Sequence, residues 1–164
     1  MNKDFNNEKQ VSQKYLNYRE QVLRYTNQDM GLTLENDEQV YIAVFDMPIE
    51  SGVVGFQTQT LALVFGLNTH IYHGSGSVVT NLEQFPEVMQ AMQSLLVSSG
   101  QALPYMDLTN DIEFYNSKKV RVYLKTKRGI YFKELDSQNK VDVFLSNMMN
   151  HVMAKISDTG ILKS

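Results

Sequence analysis

The chain has 164 residues, is 43% apolar and contains no cysteine; this suits one domain and excludes a disulfide framework, a thiol nucleophile and any thiolate metal site. Its net charge of −3 comes from 15 basic and 18 acidic residues, and their spread is uneven: no Lys or Arg occurs between Arg24 and Lys118, where eleven carboxylates fall. Residues Met1 to Gln10 carry no signal-peptide core, and no apolar run approaches the ~20 residues of a membrane span, so a soluble, cytoplasmic protein is expected.

The first seven residues read as a polar tail. A helix is expected from Glu8 to Met30, because Val11, Tyr15, Tyr18, Val22 and Tyr25 recur at spacings of four and three, with Gly31 as its stop. Val40 to Phe45 is an unbroken apolar run, as in a strand buried on both faces. Pro48 and Gly52 bracket a turn. Val53 to Phe65 is rich in β-formers, as one long strand or two short ones, and Thr69 to His73 follows as another. Gly74 to Ser77 closes this sheet segment.

Thr80 and Glu83 have capping-box spacing, and Pro86 belongs in the first turn of a helix. Phe85, Val88, Met89, Met92, Leu95 and Leu96 form its apolar stripe, and the helix ends before Gly100. Gln101 to Asn110 reads as a loop, Ile112 to Tyr115 as a short strand, and Val120 to Lys125 as a strand with Arg121, Tyr123 and Lys125 on its polar side. Thr126 to Gly129 is a hairpin turn with Gly129 placed for positive φ, and Ile130 to Leu135 returns. Val141, Phe144, Leu145, Met148, Met149, Val152 and Ile156 mark a last helix, with a tail from 158 to 164. The expected fold is a single α+β domain over residues 8–157. It has a mainly antiparallel sheet of five or six strands with helices on one face, in the order α-β-β-β-α-β-β(-β)-α.

The strongest candidate surface is the basic hairpin from 118 to 133. Lys118, Lys119, Arg121, Lys125, Lys127, Arg128 and Lys133 lie there with Tyr123 and Tyr131, and no acid interrupts them. Cations and rings on one sheet face can hold a phosphate backbone and stack bases, or receive an acidic protein patch. The same lysines also suit a solvated edge that resists aggregation.

Other candidates are weaker. His70 and His73 lie three apart, which on a regular strand sends them to opposite faces and away from a shared metal. Gly74-Ser75-Gly76-Ser77 lacks the lysine of a phosphate-binding loop. Asp107, Asp111 and Glu113 are carboxylates with no evident partner, and would need to converge with His70 to make an enzyme. Met89, Met92, Met148, Met149 and Met153 fall on the two later helices and read as core. No motif calls for a metal or cofactor.

The order of elements, from Glu8 to Ile156, resembles the type III secretion chaperone-like fold. Such proteins are small, often acidic, often dimeric and cytosolic, so the resemblance implies protein binding. The extra strand at Ile112 and the basic hairpin depart from it, and it carries over no functional residue. The reading is a non-enzymatic protein-interaction or adaptor domain that self-associates, binding a protein partner or a second copy. Its alternative is nucleic-acid binding through the hairpin.

Overall fold

The computed structural model describes residues 11–51, 55–66, 68–136 and 138–163. Its elements are α1 (Gln13–Arg24), β1 (Ile42–Ser51), β2 (Gly55–Val64), β3 (Asn68–His73), β4 (Val78–Val79), α2 (Pro86–Ser98), β5 (Asp107–Thr109), β6 (Arg121–Thr126), β7 (Gly129–Glu134) and α3 (Lys140–Asp158). The strands form one sheet in the order β4-β3-β2-β1-β6-β7-β5, and every pairing is antiparallel. The expected α+β class and antiparallel sheet are present, with seven strands among the described residues rather than five or six.

Period-two alternation on the central strands builds two cores. Ala43, Phe45, Leu61, Leu63, Ile71, Val122 and Leu124 face α2 and α3. Ile42, Val44, Ala62, Val64, Tyr72 and Tyr123 face the other way, onto Tyr15, Val22 and Leu23 of α1. The expectation of helices on a single face therefore holds for α2 and α3 but not for α1. The unbroken apolar run 40–45 already required cover on both faces, and α1 supplies the second cover.

Several boundaries differ for identifiable reasons. β2 is one strand, in unbroken register with β1 from Ser51–Gly55 to Ile42–Val64. Pro48 lies inside β1, not in a turn, at a point where β1 has outrun β6 and that edge needs no donor; Gly52 lies outside the described residues. α1 stops at Arg24 rather than Met30. Thr26 and Asp29 exchange backbone-to-side-chain hydrogen bonds of 3.1 Å, a local alternative to helix. α1 also begins at Gln13 rather than Glu8: Val11 and Ser12 are not helical, and Ser12 Oγ accepts from the Tyr15 N–H at 3.0 Å as the N-cap, while residues 8–10 lie outside the described part.

Glu83 does not cap a helix; its Oε1 accepts from the Thr69 backbone N–H at 2.9 Å, and α2 begins at Pro86 after a 3-10 turn at Leu82–Gln84. The loop at 101–110 contains the 3-10 segment Ser99–Tyr105 and the edge strand β5. Ile112 to Tyr115 is not a strand. It is an extended strap that leaves β5 and lies beside α1, where Ile112 and Phe114 join the α1-side core. After α3, Ile161 and Leu162 of the expected tail pack on the other core. β4 and β5 are additions to the chaperone-like order.

Candidate functional site

The α1 face of the sheet holds α1 across its middle, with a cleft on each side. The first cleft, about 680 Å³, lies between α1 with its following turn and the ends of β2, β3 and β4. Tyr18, Tyr25, Tyr72 and His70 supply rings, Met30, Leu32 and Phe65 supply apolar walls, and Gln21, Asn68 and Thr80 supply polar groups. Asp29 is the one charged residue among its described lining residues. The second cleft, about 630 Å³, lies between the end of α1, the strap and the β6–β7 hairpin, and its charged lining residues are Arg24, Lys125 and Arg128.

The first cleft is ordered by stacked rings. Tyr72 lies near-parallel to Tyr18 at 5.5 Å and to His70 at 6.0 Å, and Lys14 Nζ stands 5.8 Å from the Tyr18 ring centroid. Burial pushes the Tyr72 hydroxyl up to about 12, with Tyr25 and Tyr18 adding to the shift. Burial also holds His70 below the usual imidazole value, against the opposing pull of Glu83, so the imidazole is neutral at physiological pH. Its Nδ1 is buried without a hydrogen-bond partner among the described residues.

Between the clefts lies a buried polar network. Arg19 and Asp46 are 2% and 3% exposed. Arg19 Nη2 and Nε donate to the Asp46 carboxylate at 2.8 and 3.1 Å, and Nη1 donates to the Ile112 carbonyl of the strap. Thr60 Oγ1 donates to Asp46 Oδ1 at 2.7 Å. The Thr60 hydroxyl has only one proton, so Tyr15 must be the donor in its 2.5 Å contact with Thr60. Burial, then the Asp46 charge, pushes the Tyr15 phenol well above its ordinary value. The network clamps α1 and the strap to the sheet. The sequence patterning did not single out Arg19. The signal it missed is that Arg19, four residues after Tyr15 and three before Val22, sits within the apolar stripe.

The basic hairpin is not the open cationic face the alternation implied. Tyr123 is 1% exposed, against Phe132 at 5.1 Å and under the Arg19 guanidinium at 5.1 Å. Lys125 is buried, and its Nζ donates to the Leu23 carbonyl at 2.8 Å and to the Tyr25 carbonyl. The supposed polar side is the α1-facing side, and α1 covers it. Arg121 pairs with Glu134 at 2.8 Å and lies over the rings of Tyr115 and Phe132. Lys133 pairs with buried Asp142 at 3.3 Å, and Arg128 approaches Glu38 at 3.7 Å. Tyr131 is half-buried against the α2–α3 core. Lys118, Lys119 and Lys127 are exposed.

The remaining candidates are dispersed. His70 points to the α1 face and His73 to the other, where its Nδ1 lies 3.5 Å from Gln59 Nε2. Gly74 to Ser77 forms the β3–β4 turn and packs on the start of α1; a Cβ on Gly76 would meet Ser12 Oγ at 2.9 Å. Asp107, Asp111 and Glu113 do not line the His70 cleft, so the convergence an enzyme needs is not there. Asp111 accepts from the Tyr115 hydroxyl at 2.5 Å. Met92 and Met149 are buried, and Met148 and Met153 pack against the core. His151 lies in a shallow groove between α2 and α3. Among the described residues, no helix is long and apolar enough to cross a membrane.

Compared with protein families, curated proteins and solved structures, the chain matches none of them.

Proposed function

We propose that this chain is a non-enzymatic protein-interaction domain, an adaptor or self-associating unit, that receives its partner in the first cleft. The observation that carries the reading is the cleft itself: an open trench of about 680 Å³ whose described lining holds three tyrosines, apolar walls and a single carboxylate. Tyrosine combines a large rigid surface with a polar tip, which suits protein recognition. The lining groups offer stacking and hydrogen bonding, and no nucleophile–base pair is assembled among them. A reducing cytoplasmic setting fits a chain without cysteine.

A benzophenone photo-crosslinker in place of Tyr25 is expected to give a discrete adduct with a polypeptide. The same group at Val97, which is 76% exposed on α2, is expected to give none. The adduct should also weaken when Tyr18→Ala reshapes the cleft. Equal labelling from both positions, or no adduct from Tyr25, counts against the reading.

Nucleic-acid binding through residues 118–133 draws less support, because Arg121, Lys125 and Lys133 are engaged within the molecule. Anisotropy titration with single-stranded probes checks it; such binding must fall steeply with salt.

A further inference from the structure

The first cleft and the tip of the basic hairpin lie at the same end of the sheet. Ile42 pairs with Val64 on one side and with Lys125 on the other. The chain runs on from Val64 through Phe65 and Gly66, which line the cleft, and from Lys125 into the turn that carries Lys127 and Arg128. β2 and β6 flank β1, so the two features are offset by about 10 Å across the sheet. One is concave and ring-lined, with the Asp29 carboxylate in its wall; the other is convex, exposed and basic.

We propose that the occupant of the cleft is the β6–β7 turn of a second copy of this chain, in a twofold pair that seats each turn in the other's cleft. The inference rests on the reading of the cleft as a partner-binding surface and names the partner. A twofold contact requires one surface to carry both halves of its own complement, and this end of the sheet does. The charges fit: Lys127 is exposed on the turn, beside an Arg128 that approaches Glu38, while Asp29 is the one charged group among the described residues that line the cleft. A lysine or arginine head group can lie against tyrosine rings, as Lys14 already does on Tyr18. The shapes fit as well, because a two-residue turn between paired strands is narrow and held by its register with Thr126 opposite Gly129. Tyr25, 40% exposed at the rim, would be covered by the same contact.

Charge exchange tests this directly. Sedimentation or light scattering across a concentration series should show a dimer that weakens as salt rises. Asp29→Lys and Lys127→Asp should each weaken it by at least about tenfold, since each sets like charges together. An equimolar mixture of the two single variants should recover association, because a mixed pair has opposite charges at both contacts. Asp29→Asn, which keeps an acceptor for the Thr26 N–H, should weaken the dimer less and guards against a folding effect of the lysine. A wild-type monomer at every concentration overturns the inference. So does a dimer that ignores both reversals, or a mixture that recovers nothing. If the inference falls while a crosslinker at Tyr25 still captures another polypeptide, the reading of the cleft stands and only its occupant changes.

Discussion

The Arg19–Asp46 pair shows how much a single buried charge can constrain. Each ion loses several kcal/mol of hydration on burial, and the pair is tolerable only because its other hydrogen-bonding sites are filled by Thr60 and the Ile112 carbonyl. Removing one partner strands the other. Arg19→Met is therefore expected to cost about 3–5 kcal/mol in urea unfolding. Adding Asp46→Leu to it should recover much of that loss, because an apolar pair of similar volume carries no stranded charge. If the double variant is as unstable as the single, the damage comes from the strap losing its anchor rather than from the unpaired carboxylate. This pair was poorly legible in the sequence. Asp46 closes an apolar run and Arg19 interrupts an apolar stripe, and each alone reads as an element's solvated margin. Their significance appears only when the two elements are stacked.

At the scale of elements, legibility followed local signals. The hairpin at 126–129 was read correctly because its turn chemistry is local, and Gly129 does take positive φ. The stripe of α3 and the start of α2 at Pro86 were legible for the same reason. What failed was the choice of face. Alternation on β6 separates Val122 and Leu124 from Tyr123 and Lys125, but it cannot say that a helix covers the second set. Lys125 does more there than fill space. Two carbonyls at the end of α1 lack helical partners, and its ammonium group supplies donors to them. Lys125→Met keeps the stem and removes the donors. It should cost about 1–2 kcal/mol and raise hydrogen exchange in the last turn of α1, leaving α3 unchanged. Uniformly raised exchange across both helices would instead mark Lys125 as a general packing residue. The same bond ties α1 to the hairpin.

For the whole molecule, the two cores are joined through one sheet, and the groups buried on its two faces set how stability depends on pH. His70, on the α1 side, and His73, on the other, are both held below the ordinary imidazole value by burial. The unfolded chain therefore binds protons that the folded chain refuses. Their contribution is complete above about pH 6.5, the unfolded value, and is lost as pH falls through the folded values. Tyr15 and Tyr72 behave oppositely. Burial raises both phenols, Tyr72 to about 12, so their contribution is complete below about pH 10 and is lost as pH rises past it. The melting temperature from about pH 5 to about pH 11 should thus show a plateau with a falling shoulder at each end. His70→Gln combined with His73→Gln should flatten the acid shoulder and leave the alkaline one in place. Tyr72→Phe should soften the alkaline shoulder alone. An acid shoulder unchanged in the double histidine variant would assign the acid loss to carboxylates instead. The first cleft contains both His70 and Tyr72, so partner binding that protects it should shift the two shoulders outward together.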